Sequence, residues 1–293
     1  MFEWKVHGRS FCIRDVESDA EFHAIEVIQK EAWGFNDLDT VPAATLMATQ
    51  HAGGIVLGAF AGDKMIGFAH GFAAYEEGRA SIHSHMLAVR PEYRNFQAGF
   101  FLKLAQRRRT LEKGLDEITW TYDPLQSLNA HLNFAKLGVI SQRYIVNFYG
   151  EATSSPLHQG FGTDRLWVRW LLNTERVKTL VSQNPHFSAP RNSDSGLDIS
   201  SAISVALVTR EGDRPGGGGF SGLSSDRCTI EIPHNINALK ERDPQAGTAW
   251  RNATREAFLG AIDAGFEVTS FLRVGSSPNP RWFYLLTRGS GSV

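Results

Sequence analysis

The chain has 293 residues, 42% hydrophobic and 21% charged, with a formal net charge of −1. That is the makeup of an ordinary folded protein of one large or two moderate domains, without the basic excess of a nucleic-acid or anionic-membrane binder. Cys12 and Cys228 stand far apart, with no Cys-x-x-Cys pair and no histidine cluster at metal spacing, which argues against a disulfide framework and a structural zinc and for a reducing, cytoplasmic compartment.

Glu3, Lys5 and Arg9 interrupt any leader-like apolar run, and the most apolar stretch, 53–62, is broken by Asp63 and Lys64, so neither a signal peptide nor a membrane span is expected. Residues 11–16 read as a strand, and Phe22, Ile25, Ile28 and Ala32 recur at helical spacing behind Ser18 and Asp19. Pro42 opens a second short helix, and 55–60 with 65–74 read as an antiparallel hairpin turning at Gly62-Asp63. A strand over 81–89, a loop over 91–99 and a helix over 100–113 closed by Gly114 follow. Then come a strand at 118–122, a helix at 128–137 ended by Gly138, and strands at 144–149 and 166–172.

Between 182 and 200 the composition turns to Asn, Pro, Ser and Asp, so the boundaries are drawn as a domain over 1–180, a linker over 181–199 and a smaller α+β unit over 200–293. In that unit Ile203, Val205 and Leu207 alternate, as do Cys228, Ile230 and Ile232, around a Pro215-to-Gly219 run too flexible for either element. A helical stripe of Trp250, Ala253, Ala257, Phe258 and Ala261 ends at Gly265, ahead of strands at 266–274 and 282–286.

The segment with chemical character runs from Leu87-Ala88-Val89-Arg90-Pro91 through Glu92-Tyr93-Arg94-Asn95-Phe96-Gln97-Ala98-Gly99 into the helix. An apolar strand entering an arginine- and glycine-containing loop before a helix N-terminus exposes backbone N–H groups that suit a pyrophosphate, although many such loops are only connections. Just upstream, period-2 alternation puts His83, His85, Leu87 and Val89 on one strand face. Two imidazoles there are either proton acceptors near neutral pH or inert polar residues of a sheet face.

The run Val89-x-Pro91-x-x-Arg94 followed by Arg94-x-x-Gln97-x-Gly99 resembles the coenzyme A-binding motif of the GNAT N-acyltransferase superfamily, with Gln97 where that motif has its middle glycine. A second segment, Asn129-Ala130-His131-Leu132-Asn133-Phe134-Ala135-Lys136-Leu137-Gly138, resembles the superfamily's Asn-x-x-Ala-x-x-Phe-Tyr-x-Lys-Leu-Gly helix. Its usual proton-donating Tyr is Phe134 here, which leaves Tyr122, Tyr144, Tyr149 or solvent to protonate the departing thiolate. The His83-x-His85-x-Leu87-Ala88-Val89 strand resembles that of serotonin N-acetyltransferase, a superfamily member in which two histidines help remove the amine proton. Thr119 to Leu125 and Ala249-Trp250-Arg251 resemble a poorly characterised bacterial group of predicted acetyltransferases of this superfamily.

The resemblance, over about 11–172, implies a GNAT-type α/β (α+β) fold: a mixed, mostly antiparallel central sheet flanked by helices, plus the smaller C-terminal α+β unit. It implies acetyl-CoA or another acyl-CoA held by Leu87, Ala88, Val89, Arg94, Asn95, Phe96, Gln97, Ala98, Gly99, Phe100, Asn129 and Asn133, with His83 and His85 catalytic and no metal. The activity implied is direct transfer of an acetyl or other short acyl group, such as succinyl, to the amine of a small molecule or amino acid. Neither cysteine lies in a motif, so no acyl-enzyme is expected. The alternative, motivated by Gln97 and Phe134, is an acyl-CoA-binding sensor or interaction module without turnover. A protein-lysine acceptor is a third reading, and the C-terminal unit is expected to cover the acceptor pocket or form a homodimer contact. Asp123 reads as a turn residue or a site residue, Glu31 as solvated, and Arg107-Arg108-Arg109 as a solvated face or a reach toward a 3′-phosphate. Arg165 and Arg169 read as surface pairs or a carboxylate clamp.

Overall fold

The computed structural model describes residues 1–150, 161–183, 206–217, 225–275 and 280–289. These form two compact units, the first made of Met1–Trp120 with Leu171–Thr174 and the second of the remaining described residues.

In the first unit the strands β1 (Phe2–Val6), β2 (Arg9–Asp15), β3 (Ile55–Ala61), β4 (Lys64–Glu76), β5 (Arg79–Val89) and β6 (Glu117–Tyr122) hydrogen-bond in chain order. Pairing is antiparallel as far as β5 and parallel between β5 and β6. Helix α1 (Asp19–Trp33) starts in a capping box between Ser18 and Glu21 and stops at left-handed Gly34. Its apolar stripe packs with α2 (Ala43–His51) in a cluster holding Ile25, Ile28, Leu46, Val56, Phe68, Met86 and Ala88. Burying each of the larger side chains stabilises the fold by about 1.5–3 kcal/mol. Helix α3 (Ala98–Glu112) precedes β6, with left-handed Gly114 between them.

The β1–β2 hairpin was not among the elements expected. Its turn uses His7 and Gly8 at positive φ, and polar Glu3 and Lys5 alternate with Trp4, which is buried and stacks on Phe11. Trp4 Nε1 also donates to the Phe96 carbonyl at 3.0 Å, tying this hairpin to the loop ahead of α3.

In the second unit a strand series runs β8 (Arg165–Leu171), β7 (Ile140–Ile145), β12 (Phe266–Val274), β13 (Arg281–Arg288), β11 (Arg227–Ile232), β9 (Ala206–Glu211), β10 (Arg214–Gly217). It is antiparallel except between β9 and β11. Its helices are α4 (Ser127–Ala130), which continues as a π-helical stretch His131–Leu137 to left-handed Gly138, then α5 (Glu175–Gln183), α6 (Ile236–Arg242) and α7 (Pro244–Asp263). Trp250, Phe258, Phe283 and Tyr284 are wholly enclosed at its core.

Three expectations change here. The strand expected at 144–149 starts at Ile140 and ends at Ile145, because Asn147 takes φ 48 and turns the chain. Arg214–Gly217, the start of the glycine-rich run, is a strand: Pro215 and Gly216 lie on the sheet edge opposite Arg210 and Thr209 of β9. The units also divide differently from the 181–199 boundary, since Tyr122, Asp123 and Ser127 bond to Tyr284, Arg251 and His234. Residues 184–199 of the expected linker, Ile203, Val205 and Gly218–Gly219 lie outside the described residues. The mixed, mostly antiparallel, helix-flanked architecture is the expected one.

Candidate functional site

The decisive local feature is a register slip in β5. His70 pairs with Met86, but Gly71 pairs with Ser84, so His85 has no partner on β4: a β-bulge. An extra residue reverses the in–out alternation beyond it. Ser84 accordingly bonds Lys103 of α3, whereas Met86 and Ala88 join the core cluster under α1 and α2. The expectation that His83, His85, Leu87 and Val89 share a face is therefore corrected. His83 and His85 flank the Phe72 ring at 5.3 and 5.6 Å, while Leu87 turns toward α3, 3.6 Å from where a Cβ on Gly99 would lie.

Phe68, His70 and Phe72 alternate along β4 and bring a third imidazole, missed in the sequence, to the same face: the His70 ring lies 5.9 Å from His85. His70 is buried with both ring nitrogens unpartnered, and desolvation pulls its pKa down to about 4. His83 is buried, shares a 2.9 Å hydrogen bond with Thr119 Oγ1 through Nδ1, and is likewise held near 4, mainly by burial and then by repulsion from His85 and Lys103. His85 is open to solvent on one side, yet its surroundings still lower its pKa by desolvation. All three are neutral bases at pH 7. The signal for His70 was a lone histidine in an apolar alternating strand.

On the opposite face of β5, Lys103 is buried and its pKa falls to about 7 through desolvation. Its ammonium lies 3.7 Å from the Trp120 ring centre and donates to Ser84 Oγ at 2.8 Å, and Ser84 in turn donates to Gln106.

The ladder between β5 and β6 holds only Ile82↔Ile118 and His83↔Thr119. Among the described residues, Ser84 to Val89 therefore has no strand partner on that side, and its backbone amides and carbonyls there are available to another extended polar chain. Downstream, Pro91–Phe96 forms a 3₁₀ turn where a loop was expected, and Gln97 adopts φ 64, ψ 12, the left-handed geometry that a glycine would supply. That residue is the N-cap of α3, so the Ala98 and Gly99 N–H groups have no partner within the 15-residue helix and stand at its positive end, Ala98 buried and Gly99 half-buried. Arg94 and Asn95 are exposed beside it, Phe96 is half-buried and Phe100 is buried. Arg90 is committed elsewhere: it grips Glu31 at 2.5 Å and donates to the Met65 carbonyl. Arg107 bonds Leu172 O, and Arg108 and Arg109 pair with Glu112, so this run makes protein contacts near the far end of α3.

In the second unit Asn129 is exposed and Asn133 is buried, on the helix that turns π-helical. Phe134 is wholly buried with its ring 5.8 Å from Tyr284. Tyr284 donates to Pro124 O at 2.6 Å, so Tyr122, 2.9 Å away, donates its proton to Tyr284. Tyr144 donates to Asp164 at 2.7 Å. Burial raises both Tyr122 and Tyr144 well above the usual phenol range, making them poor acids, whereas Tyr149 is half exposed. Asp123 is a turn residue and more: Oδ1 accepts from Leu125 N and Oδ2 from Arg251. Arg165 is buried and donates to Asp164 O.

No protein-family model matches the chain, and no curated protein is detectably similar to it. Solved structures do align. The ribosomal-protein-S18-alanine N-acetyltransferase of Escherichia coli aligns with a TM-score of 0.45 at 16% identity, over 56% of this chain and 95% of its own. A putative acetyltransferase of Salmonella typhimurium, crystallised with acetyl-CoA, gives 0.45 at 17% over 62% and 98%. A GNAT family acetyltransferase of Elizabethkingia anophelis with acetyl-CoA bound gives 0.42 at 14% over 55% and 98%.

Proposed function

We propose that the chain is an acyl-CoA-dependent N-acyltransferase acting on the amine of a small molecule or amino acid. The observation that carries this reading is the open side of β5: Ser84 to Val89, without a strand partner there among the described residues, leads to the left-handed Gln97 and the N–H groups of Ala98 and Gly99. An extended chain of amides ending in a pyrophosphate is the ligand such an edge and helix end accommodate together. Bound acyl-CoA supplies an activated thioester carbonyl.

The residues of this chain then have separable tasks. Backbone groups of Leu87 and Val89 pair with the amide arm, and an N–H on this edge polarises the carbonyl. Ala98 and Gly99 N–H receive the pyrophosphate, with exposed Arg94 and Asn95 beside it. His85, neutral and reached by solvent, accepts the amine proton, and His83, fixed by Thr119, stands behind the Phe72 ring as the second base. Solvent is left to protonate the thiolate, because the protons of Tyr122 and Tyr144 are committed.

Free-thiol release from acetyl-CoA and succinyl-CoA across a panel of amines, with CoA binding followed by calorimetry, tests this reading. We expect release with one amine class, and His85→Ala to lower turnover about 10²-fold or more with CoA affinity kept. Tight CoA binding without release for any amine would favour a sensor, which the Phe134 position also accommodates. No CoA binding would sink both readings.

A further inference from the structure

The second unit holds a buried ionic cluster with donors to spare. Arg251 of α7 is only 2% exposed and donates through Nη2 to Asp123 Oδ2 at 2.8 Å, while its Nε and Nη1 have no hydrogen-bond partner among the described residues. One turn along α7, Arg255 grips Asp164 through Nε and Nη2 at 2.8 and 2.9 Å, which uses one edge of its fork and leaves Nη1 over. Both arginines contribute to the lining of a cavity of about 290 Å³, together with Asn147, Phe161, Gly162, Thr248 and Asn252 among the described residues. Gly162 sits at φ 74, and a Cβ there would come within 2.9 Å of Asn147 Oδ1, so the wall is kept open at that point.

A guanidinium cannot shed its charge to ease burial, and an unfilled buried donor forfeits the hydrogen bond it had in water. An acceptor that reached these donors from the cavity would restore it. We propose that this cavity is a binding site for the carboxylate of a small molecule, held by Arg251 and Arg255. A single carboxylate fits better than a phosphate dianion, because Asp123 and Asp164 already sit against the two guanidinium groups and would repel a second negative charge. The neutral donors at the rim, Thr248 and Asn252, are exposed and suit the entry of a solvated ligand.

The test is calorimetry on the full chain without CoA, which separates its outcome from that of the acyltransfer reading. The probes are propionate, N-acetylglycine, N-acetylglycine amide and inorganic phosphate. We expect propionate or N-acetylglycine to bind and the amide not to. Thr248→Glu places a carboxylate at the rim without touching either Arg–Asp pair and should weaken binding about tenfold or more through like-charge repulsion. Arg251→Met should abolish binding; should that variant not fold, Thr248→Glu carries the test. Absence of binding by both carboxylates, equal binding of the amide, binding of phosphate alone, or unchanged affinity in Thr248→Glu would each overturn the proposal.

Discussion

Lys103 donates to Ser84 Oγ at 2.8 Å, placing a buried amine behind the strand whose other face carries His83. Desolvation lowers its pKa from 10.5 to about 7, so the unfolded chain holds this proton more tightly between those values. The cost to stability is therefore full below pH 7 and disappears as pH rises toward 10.5. Lys103→Met should be more stable than the parent at pH 6.5, by an amount on the order of a few kcal/mol, with the difference shrinking at pH 9.5. Urea melts at the two pH values measure it; a less stable variant at pH 6.5 would refute the account. The same change should raise the His83 pKa part of the way toward 6.5, since repulsion from Lys103 is one of its smaller causes, and imidazole NMR titration reads that directly.

His70 and His83 act with the same sign in a lower pH window. Each is near 4 in the folded state against 6.5 when free, so the unfolded chain binds more protons between those values. Stability is at its full value above pH 6.5 and is lost as pH falls toward 4, by on the order of 3 kcal/mol for each buried imidazole. His70→Leu should flatten the acid limb of a stability-against-pH curve measured by urea melts, while an unchanged slope would show that His70 protonates freely in the folded state.

The activity profile should carry a related signature. His85 must be neutral to accept a proton, and its lowered pKa moves the acid limb of kcat/KM below the 6.5 of a free imidazole. In His85→Ala that limb should vanish along with most of the rate. A limb at or above 6.5 in the parent would assign the base elsewhere.

Legibility in the sequence followed the range of the forces involved. The β3–β4 hairpin, the ends of α3, α4 and α7 at Gly114, Gly138 and Gly265, and the capping box at Ser18 are local and were read from spacing and punctuation. The bulge at His85 was not, because it exists only in the register between β4 and β5, and it moved Leu87 and Val89 off the histidine face. His70 and Lys103 escape the sequence for the same reason, and Arg251 stands in it only as part of a resemblance, with no hint of its ion pair. Arg251 meets Asp123 across 128 positions, and Lys103 lies in a polar stretch of α3 that gives no hint of burial. In the sequence Gln97 departs from a glycine position, whereas the structure keeps the glycine-like backbone with a side chain on it.

That backbone makes Gln97 the sharpest probe of the coenzyme A reading. A non-glycine residue in the left-handed region costs about 1–2 kcal/mol, and a β-branched one is worse. Gln97→Val should therefore destabilise the chain by roughly 1–2 kcal/mol and disorder the first turn of α3, weakening CoA binding. Gln97→Gly removes the steric cost and adds a comparable loss of unfolded-state restriction, so its stability should stay within about 1 kcal/mol of the parent. With the side chain gone, a pyrophosphate can approach the N–H groups of Ala98 and Gly99 more closely, and CoA affinity should rise several-fold. Calorimetry with CoA on the two variants, beside urea melts, separates the contributions. Tighter binding in Gln97→Gly at unchanged stability places the pyrophosphate at this helix end, whereas identical CoA affinity in parent and both variants would place it somewhere else.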